Sequence, residues 1–445
     1  MVYLPHASKN KTRENMVSLV FSIPQKMRAT LLIIVSCFFL MAACHKEEIP
    51  TTENGVFVSL PHVWKKSLHQ YGAFSNSYFN VPIIYQNNIA IPTTNGNIKY
   101  MTMVDKDNGN TIWQWTDIYY QKTMGIDILY RHQYKNLLTW QSGSTSFCIN
   151  LDNGTTQWKI QRSRSFAPWF SGLDKNYFSF GESESMYPEY QECIAYKGDI
   201  ETGNISEYII PDFTLEHVIG GRIGDVTSIE PYYHNGTQYL AVIWQEIKDD
   251  ELWNFQSYLG LYNFNTNQWI YEKKVMNIPN LNGVVLSKPI IYKDKLYANI
   301  GHELVCHDLL SGNQLWKKEF SEDFSFSGFI IEENKIIGNN EDRYTYCLNP
   351  ENGGIIWKTF SSGTNSEMSY LNGVVYFVGG STGKLHAIDI NTGKTVWKID
   401  ASKLGEPNGS SFRTSTVYVF PSEADQNAKV IAFSYLNAYC FEAYK

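Results

Sequence analysis

One short phrase returns along this chain: a turn built on Gly or Asn, followed four residues later by Trp. It stands at Gly109–Trp113, Gly154–Trp158, Gly312–Trp316, Gly353–Trp357 and Gly393–Trp397, with a degenerate copy at Asn265–Trp269. A further copy at Gly203 has Glu207 and Tyr208 where Trp would fall. From Trp113 onward the markers stand 45, 50, 61, 47, 41 and 40 residues apart. A period of about 40–50 residues, each unit holding several short β-patterned runs, specifies a propeller or a related array. A length of 445 residues would otherwise suggest two or three domains, but a repeat array uses it as one.

Charge and composition narrow the class. A net charge of −7 and a pI of about 5.8 argue against nucleic-acid binding, which needs a basic stripe. Hydrophobic residues at 43% and aromatics at 15% exclude disorder. No apolar run of roughly 18 residues or more, the length that spans a bilayer, occurs outside the N-terminus. There, Gln25-Lys26-Met27-Arg28 precedes an apolar stretch from Leu31 to Met41, followed by Ala42-Ala43-Cys44. A basic region, a short apolar core and small residues before a cleavage point describe a secretory signal peptide. Cys after Ala-Ala resembles the bacterial lipoprotein box, in which Cys44 is lipidated and begins the mature chain. The expected plan is a signal peptide over 1–43 with the true start at Met27, a lipidated N-terminus and linker over 44–55, and a propeller over 56–445. Lys46-Glu47-Glu48 resembles a tag that sends lipoproteins to the cell surface. Location is therefore expected at the outer membrane, on its periplasmic face or at the cell surface.

Cys37 leaves with the signal and Cys44 takes the lipid. Cys148, Cys306 and Cys347 each stand six residues before the marker Gly of their own repeat, where Met103 and Ala387 stand in others. They share one structural position in different units. Equivalent positions in neighbouring blades lie about a sheet-packing distance apart, ~10 Å, whereas a disulfide needs Cα atoms within about 7 Å. Buried free thiols acting as small hydrophobes are expected.

The last complete unit reads as four strands: Ser366 to Leu371, Val374 to Val378, Lys384 to Ile390 and, after Asn391-Thr392-Gly393, Thr395 to Lys398. These are period-2, β-branched and aromatic runs bounded by turn residues. Pro82 and Pro289 open first strands, with Pro168 and Pro231 in corresponding places, as a strand with a free inner edge allows. After Trp397 the chain offers Arg413 to Phe420, Lys429 to Tyr435 and Ala438 to Tyr444, one strand short of a unit. Val56 to Lys65, carrying Trp64, is the spare strand that would complete it. Joining the two ends closes the ring and removes exposed edges. The expected fold is all-β, an eight-bladed β-propeller of four-stranded antiparallel blades, with seven blades as the alternative. The run Ile388-Asp389-Ile390-Asn391-Thr392-Gly393-Lys394-Thr395-Val396-Trp397 resembles the quinoprotein-type (PQQ-like), tryptophan-docking propeller repeat. The resemblance covers about residues 56–445 and implies that Trp64, Trp113, Trp158, Trp269, Trp316, Trp357 and Trp397 dock against neighbouring blades.

The same resemblance raises quinone chemistry, for which the related dehydrogenases use adjacent cysteines and a calcium site. No two cysteines here are adjacent, and no Cys-x-x-Cys-His haem motif occurs. Asp105-Lys106-Asp107-Asn108-Gly109 lacks the remaining positions of a calcium loop and repeats elsewhere as an ordinary turn. His302 and His307 have no paired metal spacing, and nucleophile-elbow and phosphate-loop motifs are absent. No catalytic residue, cofactor or metal is expected.

Asymmetry between the units is what remains. The stretch Glu182 to Glu192 carries four Glu with Met186, Tyr187 and Tyr190, and Glu246 to Trp253 carries acids with Trp253. Both join second and third strands of adjacent blades. The long connectors Pro211 to Asp225 and Val275 to Val284 emerge on the same face. Aromatics ringed by charge suit a binding hot spot, making Tyr187, Tyr190 and Trp253 the candidate partner-binding residues. By architecture the chain resembles the eight-bladed lipoprotein of the outer-membrane β-barrel assembly machine. That implies a non-catalytic scaffold with a protein partner in the envelope. A surface lipoprotein binding glycan or another envelope component, and an atypical quinoprotein oxidoreductase, are the alternatives.

Overall fold

The computed structural model describes residues 61–70, 78–79, 82–96, 98–117, 127–128, 130–142, 145–161, 170–182, 193–209, 224–247, 255–276, 287–321, 325–406, 411–413, 417–423 and 427–444. Within the unit Gly55–Lys445, the strands form eight antiparallel blades arranged as a closed propeller. Blade 1 is built from Ile84–Tyr85, Asn88–Asn95, Ile98–Asp105 and Thr111–Trp115, and blade 2 from Arg131–Tyr134, Leu137–Ser142, Thr145–Asn150 and Thr155–Gln161. Blade 3 uses Phe170–Leu173, Asn176–Glu182, Cys193–Asp199 and Ile205–Ile209, and blade 4 uses Gly224–His234, Thr237–Ile247, Phe255–Asn263 and Gln268–Val275. Blades 5 to 7 begin at Ile290–Tyr292, Phe326–Glu332 and Ser369–Leu371, and end at Gln314–Glu319, Ile355–Phe360 and Thr395–Asp400. Each first strand lines the axis and each fourth strand forms the outer rim.

Blade 8 takes Tyr418–Phe420, Lys429–Phe433 and Asn437–Glu442 from one end of the chain and Trp64–Ser67 from the other. Trp64 pairs with Cys440 and Ser67 with Asn437. The closing strand is therefore present but runs over Trp64–Ser67, later than the expected Val56 to Lys65, whose residues 56–60 lie outside the described residues. The seam onward to blade 1 is dense. Trp64 Nε1 donates to Lys106 O at 2.8 Å, Lys66 Nζ to Gly109 O at 3.0 Å and the Tyr418 hydroxyl to Ala90 O at 2.6 Å. Lys429 pairs with Asp107, and Lys106 with Glu423, across the same boundary.

Alternation explains the layers. Middle strands such as Val374–Gly379 are buried on both faces, because each blade is sandwiched between two others. Outer strands such as Gln314–Glu319 alternate with solvent. A bulge recurs between the third and fourth strands, after Met103, Cys148, Cys306, Cys347 and Ala387. Those residues are the ones opposite the docking Trp in each blade. Cys440 holds the same place opposite Trp64. Cys148, Cys306, Cys347 and Cys440 are free and buried, and burial pushes each thiol up to about 12. They pack as small apolar groups.

Candidate functional site

The marker turn is a capped unit. In Asp389 to Gly393 the carboxylate accepts from Asn391 N and Thr392 N, both at 3.0 Å, and Gly393 N donates to Asp389 O at 2.8 Å. The turn leaves its last residue left-handed, with φ +70° at Gly393, a conformation that costs other residues roughly 1–2 kcal/mol. The next blade's turn also receives the preceding indole. A Cβ on Gly154 would stand 2.5 Å from the Trp113 ring, so the glycine makes the seat. Indole N–H groups then donate to the neighbouring blade: Trp113 to Leu151 O at 3.0 Å, Trp158 to Ile200 O at 2.8 Å, Trp316 to Pro350 O at 2.9 Å and Trp357 to Ile390 O at 2.9 Å. Trp397 faces blade 8, which has no marker turn, and lies in one apolar cluster with Val417, Val430 and Phe441.

Trp269 behaves differently from the expectation. Its ring stays in blade 4, edge-on to Tyr262 at 5.4 Å and tilted against Trp244 at 6.3 Å, and its Nε1 has no partner among the described residues. Tyr271, two residues on, does the docking: its hydroxyl donates to Leu309 O at 2.6 Å and its ring sits on Gly312. The register explains the shift. Asn263 takes the turn-capping role, accepting from Asn265 N at 2.8 Å and Thr266 N at 3.2 Å. The left-handed residue is then Asn267, with φ +52°, not Asn265. Counting from Asn263, Tyr271 stands where Trp397 stands from Asp389. A run of Asn at 263, 265 and 267 hid the frame. The signal that resolves it is the capping Asp or Asn four residues before the marker.

Tyr187, Tyr190 and Trp253 lie outside the described residues, as does Cys44. What the structure describes is the strands that flank the two loops, Asn176–Glu182 and Cys193–Asp199 in blade 3 and Thr237–Ile247 and Phe255–Asn263 in blade 4. The second and third strands of blade 4 run eleven and nine residues, against six in blade 5. At about 3.3 Å per residue the blade 4 hairpin rises well past its neighbours. Antiparallel order puts second-to-third turns and blade-to-blade connectors on one face, and marker turns on the other.

The axial channel holds a polar cluster that sequence reading missed, near the end facing those connectors. Glu230 of blade 4 accepts from Ser171 Oγ of blade 3 at 2.9 Å and from Ser228 Oγ at 3.2 Å. Lys288, entering blade 5, pairs with Glu230 at 3.2 Å and donates to Ser171 Oγ at 3.1 Å. Burial raises the Glu230 carboxyl, while Lys288 and the two hydroxyls oppose it. Glu367, entering blade 7, is pushed up to about 7 by burial, against the pull of Lys288. Arg131 of blade 2 is committed to Pro82 O, its Nε donating at 2.9 Å. No motif announces these residues, because they come from five different blades.

Comparison with known proteins decides the repeat type. The family described as outer membrane protein assembly factor BamB matches residues 341–435, from the third-strand side of blade 6 to blade 8. These are BamB-like PQQ repeats. A curated relative, outer membrane protein assembly factor BamB of Shewanella oneidensis, is 27% identical over 125 residues, covering 25% of this chain and 32% of the relative. The match thus spans about a third of that protein's length. Two solved structures share the fold: the computationally designed Ika8 protein (TM-score 0.55, 11% identity, 85% of this chain and 99% of that one), and Sqt1 of Saccharomyces cerevisiae (TM-score 0.55, 8% identity, 88% and 99%). The family match falls on BamB-like repeats with Gly at the marker; blades 3 and 4 lie outside it.

Proposed function

We propose that this chain is a non-catalytic protein-interaction scaffold of the cell envelope, held at the outer membrane by a lipid on Cys44. The match of residues 341–435 to an outer membrane assembly factor carries the reading. The relative's printed role is assembly of outer membrane proteins, and a closed propeller with an elongated blade 4 offers a rigid body for such docking. Tyr187, Tyr190 and Trp253 are the proposed contact residues, above blades 3 and 4. The chain is captured from solubilised outer membranes and its partners are identified by mass spectrometry. Enrichment of an outer-membrane assembly component, lost when the three aromatics become Ala while the melting temperature holds, is the expected result. Unchanged capture by the triple variant removes the site, and recovery of glycan alone removes the scaffold reading. Cys44→Ala is expected to leave the fold intact and shift the protein from the membrane to the soluble fraction. Equal fatty-acid labelling of the variant and the wild type overturns the anchor.

A further inference from the structure

Asn-Gly pairs recur along this chain, and the structure holds them in two ways. In the marker turns the pair is locked. Asn108, Asn153 and Asn352 each accept through Oδ1 from a backbone N–H two residues on, at 2.8, 3.0 and 2.9 Å. The glycine after each donates its own N–H to Asp105 O, Asn150 O or Asn349 O. Gly373, after Asn372, donates to the Tyr370 hydroxyl at 3.0 Å. Asn235-Gly236 is held differently. It forms the exposed turn between the first two strands of blade 4, with φ of +49° and +78°. No acceptor meets the Gly236 N–H among the described residues. A Cβ built on Gly236 would find nothing within 4 Å, so the turn has room to rearrange. Beside it, His234 Nε2 stands 2.9 Å from Asn235 Nδ2, and His234 Nδ1 stands 3.2 Å from Asp294 Oδ1. The Tyr232 hydroxyl also donates to Asp294 Oδ1 and fixes that carboxylate.

We propose that Asn235 is a self-modification site, losing its side-chain amide to give aspartyl and isoaspartyl products, with His234 as the general acid. Gly236 N gives its proton to solvent, and its lone pair bonds to Asn235 Cγ while the C=O pair moves onto oxygen. That pair re-forms the carbonyl as the Cγ–Nδ2 bond breaks. The nitrogen leaves as ammonia with a proton from His234 Nε2, which solvent replaces. The sum is a succinimide and ammonia, and nothing is oxidised or reduced. Water then opens the ring at either carbonyl. An amide nitrogen accepts a proton poorly, whereas the amine of the tetrahedral intermediate accepts one well, so Nε2 acts where the barrier lies. Asp294 is a positioning residue, holding Nδ1 and stabilising the imidazolium. The isoaspartyl product adds a backbone carbon and a charge beside Asp294, in a tight turn matched to the twist of its strands. Its chemistry makes it a substrate for enzymes that methylate isoaspartyl carboxyls. This site stands apart from the scaffold reading, and either can fail without the other.

The test is peptide mapping by mass spectrometry of the full chain, aged in detergent at neutral pH, with Asn108, Asn153 and Asn352 as internal controls. Asn235 is expected to convert ahead of all three in the folded protein, and its product to accept methyl groups from an isoaspartyl methyltransferase. In denaturant the four sites should convert alike. His234→Gln should slow conversion at Asn235 at least about tenfold and leave the three controls unchanged, and Asp294→Asn should slow it by less. Should His234→Gln unfold, which faster conversion of the controls would reveal, Asp294→Asn is read in its place. The proposal is overturned if folded Asn235 converts no faster than the controls, or if the folded variant converts as the wild type does.

Discussion

Blades 5 to 7 and blade 4 are variations on one repeat, and they seal the connector-bearing face in different ways. In blades 5 and 6 the second strand carries asparagines near its end, and in blade 7 it ends at Gly379. Asn299 Nδ2 donates to Ser287 Oγ at 2.7 Å, and Asn339 Nδ2 to Ser361 Oγ at 3.0 Å and Ser362 O at 2.6 Å. Those amides satisfy the backbone where the sheet ends, so the chain turns back at once. Blade 4 carries Ile243 at the corresponding height, and its ladder continues. The marker end differs in parallel: Gly312, Gly353 and Gly393 against Asn267, and Trp316, Trp357 and Trp397 against Tyr271. A repeat can therefore exchange its signature residues and still dock, provided the capping carboxylate or amide keeps the frame.

The comparison can be broken most forcefully at the docking residues. Trp316→Ala is expected to cost about 3–5 kcal/mol, the range for a large aromatic lost from a packed site, and to expose the Pro350–Gly353 turn to hydrogen exchange. Tyr271→Ala should likewise release the Leu309–Gly312 turn, whereas Trp269→Ala should leave that turn protected. Release of the turn by Trp269→Ala alone would restore Trp269 as the docking residue.

A second test uses acid. His386 of blade 7 stacks on Phe377 with rings 5.0 Å apart, and burial, then Lys398 and Lys384, depress it to about 3. The unfolded imidazole titrates near 6.5. Its contribution is thus complete above about 6.5 and is lost as pH falls towards 3, by up to about 1.4 kcal/mol per pH unit. Denaturant melts of His386→Gln should show a shallower acid limb than the wild type. An identical limb would locate the acid sensitivity elsewhere.

Smaller effects should separate the marker residues. Gly353→Ala meets both a φ of +68° and the Trp316 ring at 2.8 Å from the new Cβ, so a loss of about 1–3 kcal/mol is expected. Asn267→Gly, at a φ of +52°, should change stability by under about 1 kcal/mol. Equal losses would mean that the left-handed position is no longer the common element. Smallest of all, Tyr271→Phe removes one hydrogen bond and is expected to cost about 0.5–1.5 kcal/mol in the melt.

Much of the ring was legible in the sequence because the repeat writes it out many times. Gly and Trp at a fixed offset, and a spare strand at Trp64, are local patterns with one geometric solution. The blade 4 frame was not legible from that pattern, since Asn tolerates the left-handed turn that Gly advertises and two aromatics compete within three residues. The channel cluster was invisible for another reason. Ser171, Glu230 and Lys288 meet only once blades 3, 4 and 5 have packed side by side, and none carries a local signature.

That closure has a consequence in time. Trp64 pairs with Cys440, so the first described strand waits for nearly the last. A chain emerging end-first must leave Trp64–Ser67 without its ladder partner until Asn437–Glu442 arrives, with successive blades already able to form behind it. Contacts so distant in sequence are slow to find. The interval before closure is when this protein is most exposed to aggregation and to chaperones.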